Sequence, residues 1–180
     1  MQFDEVLRTF AEFFEREGIR YALVGGLAVH AWGGSRTTKD VDFLLARSDQ
    51  KRVVTFAETR GYETLQVSPA FSNHAHADSR LGRVDFLYVS NETAEQIFAS
   101  STRKKVIGDE TVPVASPEHL AMMKALAMKN FPHRALFEGE DIRVLLSVPG
   151  VDHEAVREYF GRHGLLDLYD AIEKANQTSR

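Results

Sequence analysis

The sequence contains no cysteine. That absence excludes disulfides, thiol catalysis, iron–sulfur clusters and any thiolate-ligated zinc site. Long apolar runs are missing too: each ends within a few residues at a charge or a glycine, far short of a membrane span. The opening MQFDEVLRTFAEFFERE is acidic and amphipathic, with neither a basic leader nor an apolar stretch behind it, so it does not read as a secretory signal. A cytoplasmic protein with no membrane partner is the expectation. Nor is there an excess of positive charge. Lys and Arg number 22 against 26 Asp and Glu, a formal net charge of −4. A general basic coat for nucleic acid is thereby excluded, although a local patch such as Arg103-Lys104-Lys105 is not.

What is present is ordinary globular composition: 180 residues, 43% hydrophobic and 27% charged, enough to bury a core without metal or disulfide staples. Phe3, Val6, Leu7, Phe10, Phe13 and Phe14 recur at helical spacing and stop at Gly18. Tyr21 to Val24 reads as a buried strand that ends at Gly25-Gly26, followed by a short helix from Leu27 to Trp32. Val41 to Leu45 is a strand, Asp49 to Arg60 an amphipathic helix, and Tyr62 to Val67 a further strand. The polar segment from Pro69 to Arg80 has no clear period. Arg83 to Val89 is a strong strand, Thr93 to Ser100 a helix, and Lys104 to Ala115 a hairpin around Gly108-Asp109. From Ser116, an N-cap before Pro117, the period turns helical, with helices at Glu118 to Lys129, Asp141 to Ser147, His153 to Arg162 and Leu165 to Ala175. The reading is an α+β core over residues 1–115 and a helical subdomain over 116–180.

The informative stretch runs from Gly25 to Leu44. Side chains alternate along a strand, so Asp40 and Asp42 share one face while Val41 and Phe43 enter the core. Their origins lie about 6.6 Å apart along the strand, a span suited to pinching a pair of divalent ions about 3.5–4 Å apart. Two like charges on one strand face repel unless a cation neutralises them. Asp85, between Val84 and Phe86, is a third acid that joins the same face if the two strands pair. Three carboxylates and no thiol suit the oxygen coordination that magnesium prefers. Upstream, Gly25-Gly26 at the strand-to-helix turn leaves backbone amides open to a phosphate. It matches neither the Walker pattern nor the dinucleotide pattern GxGxxG.

The stretch resembles the signature of the DNA polymerase β-type nucleotidyltransferases: hydrophobic strand, glycine pair, short helix, then Asp-h-Asp-h, with a third Asp on a later strand. Thirteen residues separate Gly26 from Asp40. The form Arg36-x-Thr38-x-Asp40-Val41-Asp42 is similar to small bacterial members, including toxins of type IV toxin–antitoxin pairs. Many members carry serine where this chain has Gly26. The resemblance implies the nucleotidyltransferase fold, a central mixed sheet flanked by helices with a C-terminal helical region. It also implies transfer of a nucleoside monophosphate from an NTP, such as ATP, to a hydroxyl acceptor (a tRNA, a protein or a small molecule), with release of pyrophosphate. Asp40, Asp42 and Asp85 would be the catalytic metal ligands for two Mg²⁺ ions, with Mn²⁺ as a substitute. Gly25, Gly26, Arg36, Lys39 and Lys124 would be nucleotide contacts. A cognate antitoxin is an implied partner.

Two other readings stand beside this one. A nucleotidyltransferase-like domain can serve as an inactive adaptor or regulator, although intact Asp40, Asp42 and Asp85 argue against decay. His74, His76 and Asp78 resemble part of the HxHxD motif of metallo-β-lactamase-type zinc hydrolases, but Ser79 stands where that motif has a further histidine. Asp141 reads most simply as a helix N-cap.

Overall fold

The computed structural model describes residues 1–35, 37–131 and 135–178. The chain packs as two compact units, Met1–Ala31 with Arg36–Ala115, and Trp32–Ser35 with Ser116–Arg180. Among the described residues no helix is long and apolar enough to cross a membrane.

The first unit is built on α1 (Phe3–Arg16), β1 (Tyr21–Val24), α2 (Gly25–Ala31), β2 (Asp40–Ala46), α3 (Gln50–Thr59), β3 (Tyr62–Val67), β4 (Phe71–His76), β5 (Arg83–Val89), α4 (Asn91–Ser100), β6 (Thr102–Ile107) and β7 (Glu110–Val114). The strands form one mixed sheet in the order β3-β4-β5-β2-β1-β7-β6. β2 and β5 pair parallel, β1 and β7 pair parallel, and the remaining neighbours are antiparallel. The segment without a clear period in the sequence contains β4. Its apolar alternation is broken because the inward positions carry Ser72 and His74, both fully buried. Their polar atoms are satisfied within the protein: His74 Nε2 lies 2.9 Å from Ser72 Oγ, and Ser72 Oγ lies 2.8 Å from the Tyr88 hydroxyl.

The helical stripe of α1 buries Val6, Leu7, Phe10, Ala11, Phe13 and Phe14. Phe10 is the hub. Its ring lies 5.5 to 5.9 Å from those of Phe43, Phe56, Tyr62 and Phe86, and 6.2 Å from that of Phe14. Tilted and edge-on rings at such distances attract beyond simple area burial. Phe43 on β2 and Phe86 on β5 thus fix one sheet face against α1, and alternation sends Asp40, Asp42 and Asp85 to the other.

The second unit contains α5 (Pro117–Asn130), α6 (Ala135–Leu146), α7 (His153–Arg162) and α8 (Leu166–Thr178). Ser116 caps α5, its hydroxyl accepting from the His119 amide at 3.4 Å, and Asp152 caps α7 by accepting from Ala155 at 2.9 Å. Leu120, Ile142, Leu145, Val156 and Phe160 are buried among these helices. α6 begins at Ala135 rather than near Asp141, so Asp141 is a mid-helix residue and not an N-cap.

Because Phe10 is fully buried and rigidly surrounded, Phe10→Ala is expected to cost about 3–5 kcal/mol of stability. Urea unfolding of the two proteins, compared at constant m-value, measures it.

Candidate active site

The face opposite the aromatic core is organised by strand register. Asp42 is the direct cross-strand partner of Asp85 on β5, and Asp85 in turn of Asn73 on β4. On β1, Asp42 faces Val24, the last residue before Gly25-Gly26. Neighbouring strands lie about 4.8 Å apart, so Asp42, Asp85 and Asn73 stand side by side. Asp40 occupies the adjoining row, opposite Arg83, whose Nε is 3.8 Å from Asp40 Oδ1.

Both glycines are explained by close approach. Gly25 has φ +66°, a left-handed conformation, and a Cβ there would fall 2.0 Å from Asp42 Oδ2. A Cβ on Gly26 would fall 2.7 Å from the Thr38 Cβ. The glycine pair therefore makes room for Thr38, just ahead of β2, and for Asp42 within it. Thr38 Oγ1 also lies 3.4 Å from the Asp40 amide, as its acceptor.

Asp85 is half-buried, and burial pushes its carboxyl above the usual carboxylate range. Asn73 and Arg83 oppose that rise and Asp40 adds to it. The Oδ1 atom of Asp85 is buried without a hydrogen-bond partner, which is costly for a carboxylate unless a cation or a proton meets it. The donor set of three carboxylates fits a hard divalent ion. Among the described residues, however, no three His, Asp or Glu side chains already converge as a closed metal cage. Each aspartate leans on a different neighbour: Asp40 on Arg83, Asp42 over Gly25, and Asp85 on Asn73.

The other sequence candidates fall in varied places. Lys39 is exposed, and Arg36 lies outside the described residues. Lys124, expected from the resemblance as a nucleotide contact, lies on α5 in the helical unit. It is 7% exposed, with Nζ 2.6 Å from Glu138 Oε2 and 2.7 Å from Asp141 Oδ2, both acids being buried in the same helical unit. The zinc-hydrolase reading loses its ligands to internal bonds. His74 meets Ser72 through Nε2 and Thr64 Oγ1 through Nδ1, and burial holds its pKa below the usual histidine value. His76 Nδ1 accepts from the Asp78 amide, and the Asp78 carboxylate is taken by Arg80. Asn73 and Arg83 escaped the sequence reading, Asn73 because β4 lacks apolar alternation and Arg83 because it lies at a strand start.

No protein-family model matches the chain, and no curated protein does. Solved structures do match. The antibiotic-resistance factor ANT(2″)-Ia in solution superposes with a TM-score of 0.70 over 99% of this chain and 100% of that one, at 17% identity. The fold is that of a nucleotidyltransferase. The lincosamide antibiotic adenylyltransferase LnuA, bound to lincomycin, has this fold too: its TM-score is 0.59 at 20% identity, over 80% of this chain and 96% of that one. An antigenic nucleotidyltransferase-like protein from Paracoccidioides brasiliensis gives 0.59 at 16% identity, over 96% and 92%. The nucleotidyltransferase fold of this chain has the central mixed sheet and flanking helices that the Asp-h-Asp resemblance implied.

Gly25→Ala is expected to lose at least about 1–2 kcal/mol from its left-handed backbone alone, with the Asp42 carboxylate displaced; chemical denaturation measures the loss. Lys124→Met, which removes a buried cation from contact with both Glu138 and Asp141, is expected to cost about 3–5 kcal/mol. Thermal unfolding of the variant reads that effect.

Proposed function

We propose that the chain transfers a nucleoside monophosphate from an NTP to a hydroxyl of a small acceptor molecule. The observation that carries this reading is the register of β2 and β5, which sets Asp42 directly beside Asp85 and one row from Asp40, next to the glycine turn. The fold shared with LnuA and ANT(2″)-Ia supports it.

Asp40, Asp42 and Asp85 would hold two divalent ions, Mg²⁺ or Mn²⁺. Such ions, when bound, stabilise negative charge on both the entering and leaving oxygens of the displacement. Asp85 has a second task. Its Oδ1, buried and without a hydrogen-bond partner, would take the proton of the acceptor hydroxyl. The acceptor oxygen bonds to the α-phosphorus, the bond from that phosphorus to the β-phosphate bridging oxygen breaks, and pyrophosphate leaves. Gly25 and Gly26 keep backbone free of side chains beside Asp42, where the triphosphate would lie. Lys39 is a phosphate contact by charge and exposure.

A small acceptor is favoured over RNA by the charge of this face, where Asp40, Asp42 and Asp85 outnumber Arg83. LnuA is described with lincomycin and ANT(2″)-Ia with adenylyl-2″-tobramycin, so acceptors of that size are the first to test. Incubation with α-labelled ATP and Mg²⁺ should label lincomycin, tobramycin or a related alcohol. Asp40→Asn, Asp42→Asn and Asp85→Asn should each reduce transfer by a factor on the order of 10²–10³ or more. Label moving to tRNA or to a protein instead would overturn the small-acceptor assignment. Intact transfer in the Asp42→Asn variant would overturn the metal-ligand assignment. Absence of both transfer and metal-dependent NTP binding would leave the adaptor reading in possession.

A further inference from the structure

The sheet order leaves two edges, β3 and β6, and they are built differently. β6 carries Arg103, Lys104 and Lys105 in succession, the kind of charge that discourages a second strand from joining. β3 has neither lysine nor proline, and its one charge, Glu63, stands near its start. Among the described residues four large apolar side chains are exposed, and two of them lie on this edge: Leu65 at 51% and Val67 at 52%. Single exposed apolar residues are ordinary, but two on an unpaired strand edge mark a place where another chain can add.

α3 lies along the same edge and runs antiparallel to β3. At its start Gln50 Nε2 donates to the Ser68 carbonyl at 2.7 Å, and near its end Glu58 Oε1 accepts from the Thr64 hydroxyl at 2.8 Å. The middle of α3 is therefore level with Leu65 and Gln66, and Glu58 is on the side of the helix that meets β3. Lys51, seven residues earlier, lies about 20° from Glu58 around the helix and about 10.5 Å along it. Lys51 is exposed, with no ion pair or hydrogen bond among the described residues, and half-buried Val54 lies between the two charges.

A stripe with a cation at one end, an anion at the other and a valine between them is self-complementary under a twofold axis. An axis through its middle sets Lys51 of each chain against the partner's Glu58, giving two contacts of opposite charge. The same axis passes near Leu65, so β3 meets its copy antiparallel, and Leu65 and Val67 of both chains are covered together. Among the other charges near this edge, Glu63 and Arg60 are of opposite sign and lie together at the end away from the axis, so neither meets its own copy. At the far end Asp49 is already held by Arg52 at 3.4 Å. All of these residues belong to the first unit.

We propose that the edge formed by β3 and α3 is a twofold interface with a second copy of this chain, with β3 antiparallel to β3 and Lys51 paired with Glu58 across the axis. None of these residues belongs to the transferase site, so dimerisation is independent of that reading. The bulge between Thr64 and Gln66 shortens the regular ladder that a partner strand can form. Association is therefore weak and reversible, with a Kd on the order of 10 µM.

Sedimentation velocity of the full chain, at concentrations bracketing that value, measures the dimer. Lys51→Glu and Glu58→Lys each bring like charges together at both contacts, and each should weaken dimerisation by about tenfold or more. Mixed in equal amounts, the two variants should pair with each other about as tightly as the parent chain pairs with itself, because every contact across the mixed axis is again between opposite charges. Val67→Lys should weaken dimerisation in any mixture. Thermal unfolding at low concentration shows that each variant is folded. Backbone amides of β3 should exchange more slowly as the dimer fills. A chain that stays monomeric at concentrations on the order of 10⁻⁴ M would overturn the interface. So would charge variants that associate no better mixed than alone, growth past a dimer, or β3 amides whose exchange ignores concentration.

Discussion

The packing of Phe43 and Phe86 against Phe10 is the interaction on which the rest of the first unit depends. Both rings are fully buried, on adjacent parallel strands and in direct register. Because side chains alternate, that register also decides where the acids go. A slip of one residue in either strand would drive an aspartate into the aromatic layer and expose a phenylalanine. Burying an unpaired carboxylate costs far more than the slip could return. The apolar side of the sheet therefore enforces the geometry of its polar side, and the carboxylates need no attraction of their own to stand together.

They have, in fact, the opposite. Three acids on one face repel, and the structure answers with local partners and close packing. Arg83 faces Asp40, Asn73 engages Asp85, and the Asp42 carboxylate folds over a glycine that has no side chain to meet it. These are individually weak contacts on a half-exposed surface, and surface ion pairs are worth little. Under the proposed function, a divalent cation would answer the same repulsion with much greater charge density.

The helical unit handles charge differently. Lys124, Glu138 and Asp141 are all buried, so their desolvation has already been incurred, and short contacts between Lys124 and the two acids offset part of it. The arrangement joins α5 to α6 through charge, in a unit whose buried residues include Leu120, Ile142, Leu145, Val156 and Phe160. Such a triad tolerates the loss of no single member, whereas the exposed pairs around it tolerate many.

Much of this was legible in the residues themselves. The α1 stripe, the strand ending at Gly25-Gly26, the Asp40-Val41-Asp42-Phe43 alternation and the change of period at Ser116 all follow from local spacing, because one buried face imposes a period on each element. The relation of Asp85 to Asp42 was conditional on two strands pairing, since no local pattern states which strands are neighbours. The strand β4 was hidden because its buried positions carry serine and histidine, which bond to each other and to Tyr88 and Thr64 on the neighbouring strands. Lys124 was hidden for a similar reason: α5 shows only where a lysine lies on one helix, and two acids from another helix turn a surface residue into a buried one. Local order was thus written into the chain by hydrophobic period. Polar burial and the partners of each charge were decided only by tertiary packing, because a polar group can leave water only where the rest of the fold supplies what water had given it.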